Sequence, residues 1–174
     1  MKPIFAVVTA ASSLCFLASQ GLCAERPVLH NANSDERLIV RNIISDKVAT
    51  GEHGAMAPAL KVGWVDLDND GDDDLIAMQM AFCSNHDCDY YFVIRDDPPY
   101  WTAVTSLTSW AVPYLADPGD DGDMRDVIVF DHVTDDCMAC TPPKAVRWTW
   151  NGNEYEQVGI VSNQALFPIS ASAD

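Results

Sequence analysis

An all-β fold built from antiparallel sheets is the fold class that this sequence predicts, and three observations support it. Short runs of β-branched, aromatic or apolar residues recur along the chain and are bounded by Asp, Asn, Gly and Pro. No window shows a convincing helical period. Two parts of the chain repeat the same order of features, so we expect two similar sheets.

The predicted strands are the runs Leu38–Val40, Leu75–Phe82, Tyr90–Ile94, Val127–Phe130 and Val146–Trp150. These runs favour strands because branched and aromatic side chains fit a pleated, half-buried surface. Asn151 and Gly152 follow the last run, and this pair is a strong signal for a hairpin turn. We therefore expect Glu154–Val161 to return antiparallel to Val146–Trp150.

An internal repeat occupies the last two-thirds of the chain. Corresponding positions, 51 to 54 residues apart, are Gly71 and Gly122, Asp74 and Asp126, Cys83 and Cys137, Cys88 and Cys140, and Trp101 and Tyr155. Each copy contains an acidic glycine loop, an apolar strand, a cysteine-closed loop, a second strand, a turn and an aromatic-bearing strand. The alternative is a chance likeness between two acidic loops in an Asp-rich chain.

The length of this repeat is close to that of one β-propeller blade, although closed propellers usually need four or more blades. We expect a signal peptide at residues 1–24 and a single β domain at 25–174. That domain would comprise a cap segment at 25–60 and repeats at 61–112 and 113–174. Two repeats predict either an incomplete propeller or a sandwich of two packed sheets.

The first residues have the pattern of a secretory signal. Lys2 gives a basic start, Ile4–Ala18 is mostly apolar, and Leu22-Cys23-Ala24 offers a cleavage site. The apolar run is shorter than a bilayer requires, so we expect no membrane span. These features predict a periplasmic or secreted protein. Leu22 is unlike the small residue that a lipoprotein signal places before its cysteine.

The charge balance excludes some partners. Ten Lys and Arg residues stand against 26 Asp and Glu residues, a formal net charge of -16. Removal of residues 1–24 takes away Lys2 and no acidic residue, which leaves -17. Such a charge repels phosphate backbones and anionic bilayers, so we expect no nucleic-acid partner.

Four cysteines follow the predicted leader: Cys83, Cys88, Cys137 and Cys140. An even number in an exported chain favours disulfides, and three pairings are possible. The local pairing, Cys83 with Cys88 and Cys137 with Cys140, needs no long-range assumption. The alternative is a zinc site that also uses His86.

The stretch Asp66–Leu75 has the residue pattern of a calcium loop. Carboxylates occupy positions 1, 3, 5 and 9, glycine occupies position 6, and position 7 usually contributes its carbonyl. The predicted ligands are Asp66, Asp68, Asp70, Asp72 through its carbonyl, and Asp74. Converging carboxylates repel one another strongly without a cation. An EF-hand is excluded because its position 12 requires Glu, and Ala77 stands there.

This loop, running directly into Leu75-Ile76-Ala77, closely resembles the calcium loop of FG-GAP/VCBS repeats. The resemblance implies a propeller-type blade and structural Ca²⁺, and it covers residues 62–105 well and 117–158 loosely. The second copy departs from the pattern because Gly119 and Arg125 stand at positions 3 and 9. We therefore expect that Asp117–Asp126 kept the turn and lost the metal.

The sequence shows no nucleophile motif or paired histidines, so we expect a non-enzymatic protein. Small acidic periplasmic proteins that resemble this arrangement include inhibitors and immunity proteins. A basic, cell-wall-active enzyme is the expected partner, since complementary charge speeds association. A Ca²⁺-dependent hydrolase, or a subunit of one, and a structural surface or adhesion module are the alternatives. Trp101, Trp110, Trp148 and Trp150 are interpreted either as core residues or as the lining of a sugar or protein site.

Overall fold

The computed structural model describes residues 24–43, 60–80, 83, 87–96, 100–117, 124–132 and 142–162, which contain one helix and ten strands. In chain order these are β1 Ala24–Glu25, β2 His30–Asn31, α1 Ser34–Ile43, β3 Leu60–Val65, β4 Asp74–Gln79, β5 Cys88–Arg95, β6 Trp101–Ser109, β7 Tyr114–Ala116, β8 Asp126–Asp131, β9 Lys144–Trp150 and β10 Tyr155–Val161. The predicted all-β class of antiparallel sheets is confirmed.

Each sheet has five strands, and every pairing is antiparallel. The first sheet has the order β2-β3-β4-β5-β6, and the second has the order β1-β7-β8-β9-β10. Four consecutive strands of each sheet come from one predicted repeat, except that β3 begins at Leu60. The fifth strand of each sheet, β1 or β2, comes from the segment that precedes the repeats. Neither sheet closes into a barrel within the described residues.

A shared core lies between the two sheets. Its buried side chains come from β3, β4, β5 and β6 of the first sheet and from β7, β8, β9 and β10 of the second, together with residues of the connecting turns. Phe92 and Leu115 are fully buried there. A fully buried side chain of this size stabilises the fold by roughly 1.5–3 kcal/mol, so this layer holds the two sheets together.

The two sheets stack face to back, so that opposite faces of the two repeats line the shared core. Asp74 and Asp126 are each the first residue of the second strand of their repeat. In the first repeat the side chain two residues later, Ile76, faces the shared core. In the second repeat the side chain one residue later, Val127, faces it. Because side chains alternate along a strand, the sheets present opposite faces of the repeat to one another.

Helix α1 corrects one prediction, because Leu38–Val40 lies in this helix and not in a strand. Asn33 caps the helix, since its Oδ1 accepts hydrogen bonds from the amides of Asp35 and Glu36 at 2.9 and 3.0 Å. Glu36 Oε2 accepts the amide of Asn33 at 2.7 Å, which completes a capping box. This local signal outweighs the β propensity of the branched run, and Val40 packs on the outer face of the first sheet.

The hairpin predicted at Asn151-Gly152 is confirmed. Trp150 pairs with Tyr155, and Asn151 Oδ1 accepts the amide of Glu154 at 2.9 Å. Gly152 has a φ of 96°, which favours glycine. The turn has four residues, so the Asn-Gly pair forms only its first half. Strands β3 and β7 were not predicted from the sequence.

Candidate metal centre

The predicted calcium loop is the turn that joins β3 to β4. Val65 ends β3 and pairs directly with Asp74, the first residue of β4. Between them Asn69 and Gly71 have φ values of 56° and 92°, so both lie in the left-handed region that Asn tolerates and glycine adopts freely. Two left-handed residues close together wind this segment tightly.

Three carboxylates converge at this turn. Asp66, Asp68 and Asp74 each offer one oxygen, and these oxygens all lie within 4.8 Å of one another. Asp66 and Asp68 are half-buried, and Asp74 is only 1% exposed. Side-chain oxygens on a tightly wound loop are the ligands that Ca²⁺ prefers. The arrangement can hold a metal ion.

Asp74 is the most buried member of this three-carboxylate group. Its Oδ2 accepts the amide of Leu67 and its Oδ1 accepts the amide of Arg95, each at 2.7 Å. Burial raises the pKa of this carboxyl to about 6 although both hydrogen bonds lower it, and the negative charges of Asp68 and Asp70 add to the rise. The folded chain therefore disfavours a bare negative charge here.

Asp66 and Asp68 are also incompletely compensated, although Asp68 accepts one hydrogen bond from the amide of Asp70. Burial is the largest cause that raises the pKa of Asp68, and the charges of Asp70 and Asp66 raise it further. Asp66 Oδ1 is buried and accepts no hydrogen bond. A buried acceptor without a partner costs roughly 1–3 kcal/mol, and a cation beside it would remove that cost.

Asp70 and Asp72 lie outside this three-carboxylate group and are exposed. Asp70 Oδ1 accepts the amide of Asp72 at 2.7 Å, and Asp68 Oδ1 accepts the amide of Asp70 at 3.3 Å. These bonds shape the turn from within. Coordination by Asp70 and by the Asp72 carbonyl stays a prediction.

Leu67 connects the candidate metal centre to the second sheet. Its amide binds Asp74, its carbonyl accepts the amide of Arg125 at 2.7 Å, and its side chain is fully buried in the shared core. The Tyr155 hydroxyl donates to the carbonyl of Arg125 at 2.7 Å. Burial, with the charges of Asp126 and Asp74, raises the pKa of Tyr155, so this hydroxyl keeps its proton.

This connection between the sheets was not predicted from the sequence. Leu67 stands between two predicted ligands of the loop, and Arg125 and Tyr155 belong to the other repeat. The sequence carries no signal for a backbone hydrogen bond between such distant positions.

The second acidic loop has a different buried carboxylate. Asp126 is fully buried and forms an ion pair with Arg147, the partner that Asp74 lacks. The guanidinium of Arg125 contacts Glu25 Oε2 and the carbonyl of Leu115, both at 3.2 Å. Gly119, Asp121 and Gly122 lie outside the described residues, so the predicted loss of metal from Asp117–Asp126 stays a prediction.

The described ends of β3, β5, β7 and β9, and the described starts of the strands that follow each of them, lie together at one end of the molecule. Because successive strands are antiparallel, the connections after β3 and β5 leave one end of the first sheet, and the connections after β7 and β9 leave one end of the second. The hydrogen bond between Arg125 and Leu67 joins the ends of the two sheets. We call this region the acidic end, and its described carboxylates are Asp66, Asp68, Asp70, Asp72, Asp73, Asp74, Asp96, Asp117, Asp126 and Glu154.

The cysteine loop of the first repeat follows β4, at the opposite end of the first sheet. Cys83 and Cys88 form a disulfide, which confirms that local pairing and removes both sulfurs from the alternative zinc site. His86, Cys137 and Cys140 lie outside the described residues. A disulfide is compatible with an exported protein. No helix among the described residues is long and apolar enough to cross a bilayer.

No protein-family model matches the chain, and neither the curated proteins nor the solved structures include a significant match. The likeness to FG-GAP/VCBS repeats therefore stays a prediction from the loop and the repeat.

Proposed function

We propose that this chain is an exported, non-enzymatic binding protein that uses Ca²⁺ to order an acidic surface for a basic partner. The partner class is a basic, cell-wall-active enzyme, which the protein would inhibit or neutralise. The observation that carries this proposal is the position of the three-carboxylate group within the acidic end. The predicted signal peptide at residues 1–24 and the disulfide support a periplasmic or secreted location.

Calcium is the proposed metal because the converging side chains offer only carboxylate oxygens. Hard cations prefer such ligands, and Ca²⁺ accepts the irregular geometry of a wound loop more readily than Mg²⁺ does. Two carboxylates about 4 Å apart repel by on the order of 4 kcal/mol at an effective dielectric constant of 20. A bound Ca²⁺ would reverse the sign of that interaction for Asp66, Asp68 and Asp74.

The proposed role of the ion is structural. Leu67 lies inside the loop, binds Asp74 through its amide and reaches the second sheet through its carbonyl and side chain. An ion that fixes Asp66, Asp68 and Asp74 would also fix Leu67 between them. It would thereby strengthen the contact between the sheets where the acidic turns meet.

Charge is the argument for the partner. The chain has a net charge of -16, and six of the carboxylates at the acidic end are exposed: Asp70, Asp72, Asp73, Asp96, Asp117 and Glu154. At this end Arg125 and Arg147 are paired with carboxylates of this chain, and Arg95, the last residue of β5, lies over Trp101. Complementary potentials speed association and select partners of opposite charge. A basic protein therefore fits this surface.

Calcium titration of the metal-free protein tests the metal. Free Ca²⁺ at 100 times its Kd should raise the free energy of unfolding by about 2.7 kcal/mol. For a domain of this size that corresponds to a rise in Tm of roughly 5–11 °C. Asp68→Ala should abolish the rise, whereas Asp72→Asn, which keeps the backbone carbonyl, should preserve it. An unchanged Tm would contradict the proposed metal.

Retention and inhibition assays with a panel of cationic muramidases and amidases, at low and high salt, test the partner. We expect binding that weakens as salt screens the acidic end. Failure to bind or inhibit any of them would remove the proposal. Turnover of generic glycosidase, esterase or phosphatase substrates that is lost in Asp68→Ala would favour the hydrolase instead.

A further inference from the structure

Two tryptophans lie side by side near the acidic end, on the outer face of the first sheet. Trp64 comes from β3 and Trp101 from β6, and their ring centroids are 5.9 Å apart with a tilt of 53° between the planes. Trp64 is 39% exposed, and Tyr100 beside Trp101 is exposed as well. By contrast, Trp148 and Trp150 pack against the shared core. Trp64 and Trp101 therefore place aromatic surface where a partner can reach it.

Trp64 is held in place by a buried acid. Its indole Nε1 donates to Glu36 Oε1 at 2.9 Å, and Glu36 is only 3% exposed. Glu36 also contacts His30 Nε2 at 2.9 Å and accepts the amide of Asn33 at 2.7 Å. These contacts join α1, β2 and β3 around one carboxylate. The exposed ring is thus fixed before any partner binds, which reduces the entropy lost on association.

The buried acid also influences the ring. Burial raises the pKa of Glu36, but hydrogen bonds from Asn33, His30 and Trp64 outweigh that effect and hold the pKa below its usual value. Glu36 is therefore ionised at neutral pH, and a carboxylate at the indole N–H increases the electron density of the ring. The face of a tryptophan ring attracts cations, and this carboxylate strengthens the attraction.

Trp101 already interacts with a cation of this chain. The guanidinium carbon of Arg95 lies 6.0 Å from its ring centroid. Trp64 consequently supplies the ring surface open to a cation from outside. Trp64 is one residue before the end of β3, and Asp66 of the acidic end follows directly after that strand. A cationic side chain drawn to the acidic end would reach this ring.

We propose that Trp64, which packs beside Trp101, is the residue against which the basic partner places a Lys or Arg side chain. We call Trp64 the anchor. This inference rests on the proposed function and names the surface that would carry it. Tryptophan is strongly enriched among the residues that dominate interface energies, and exposed carboxylates form a suitable polar rim around it. The exposed part of Trp64 amounts to about 100 Å², taking roughly 250 Å² for a whole tryptophan, so it is one contact within a larger interface.

The test uses the full Ca²⁺-loaded chain and an arginine–glycine octapeptide as the probe, with the citrulline–glycine peptide as an uncharged control. Calorimetry should show binding of the arginine peptide only. Trp64→Ala should weaken that binding about 10-fold, which is the range of a well-placed cation–π contact. Trp110→Ala is the matched control, because Trp110 is similarly exposed but follows β6 at the opposite end of the first sheet. It should bind as the wild type does.

Two further measurements separate an anchor from a structural support. Trp64→Phe keeps a ring but loses the N–H donor, so it should retain more binding than Trp64→Ala. The Nε1–H resonance of Trp64 in the wild-type protein should shift on addition of the arginine peptide, while that of Trp110 should not. This measurement does not require a variant to fold.

The outcomes are distinguishable. Equal binding by wild type and Trp64→Ala, or an unmoved Trp64 resonance, would overturn the anchor and leave the proposed function standing. If neither the peptide nor any cationic enzyme binds the wild type, both proposals fail. If the ring instead takes up neutral oligosaccharides and ignores the arginine peptide, the site is a carbohydrate site and the anchor is again overturned.

Discussion

The pH dependence of stability without metal is the sharpest test of the buried carboxylate Asp74. Its pKa in the folded chain is about 6, raised by burial from 3.8. Between these values the unfolded chain has released the proton and the folded chain retains it. Stability should therefore fall as the pH rises from 4 to 6 and level off above 6. The loss is on the order of 3 kcal/mol, because one pKa unit corresponds to 1.36 kcal/mol.

Urea unfolding of the metal-free protein, followed by tryptophan fluorescence at pH 4, 5, 6 and 7, measures this loss. Other carboxylates titrate in the same range, so the informative quantity is the difference between wild type and Asp74→Asn. That difference in the free energy of unfolding should change by about 3 kcal/mol between pH 4 and pH 6 and stay constant at higher pH. Asp72→Asn, which alters an exposed carboxylate of the same turn, should track the wild type. A wild-type-minus-Asp74→Asn difference that is flat between pH 4 and 7 would show that the pKa of Asp74 is not raised in the folded chain.

Two further variants probe the second sheet and the connection between the sheets. Arg147→Met leaves the fully buried Asp126 without its cation, so the free energy of unfolding should drop by roughly 3–5 kcal/mol. Adding Asp126→Asn to that variant should recover much of the loss in urea titrations, and no recovery would mean that the pair is not coupled. Leu67→Ala should cost about 2–5 kcal/mol because the side chain is fully buried in the shared core. It should also weaken Ca²⁺ binding in calorimetry, and unchanged affinity would show that the sheet contact and the metal centre are independent.

Helix α1 shows why local patterns can mislead. The run Leu38–Val40 has strand-like residues, but Asn33 and Glu36 form a capping box just before it. The box is visible in the sequence as Asn-x-x-Glu, so the helix was predictable in principle. Strands β3 and β7 were harder to predict, because β7 spans only Tyr114–Ala116 and β3 contains Gly63. Tertiary pairing decides short strands more than local propensity does.

The two buried aspartates show the limit of repeat arguments. Asp74 and Asp126 occupy corresponding positions, and alignment alone suggests equal roles. In the structure they face opposite sides of their sheets, one toward the shared core and the other toward Arg147. The face-to-back stacking of the sheets creates this difference. No property of either aspartate in isolation reveals it.

Local sequence patterns were sufficient to predict the β class, the hairpin at Asn151-Gly152 and the cluster of carboxylates around Gly71, and they favoured the Cys83–Cys88 pairing among the possible ones. All of these depend on residues close together in the chain, where spacing and backbone preference are sufficient. Only the tertiary structure decided that Leu67 contacts Arg125 and that Trp64 rests on Glu36 beside Trp101. Those contacts join turns, a helix and strands that are distant in sequence, and their geometry is set by how the layers pack around the buried side chains.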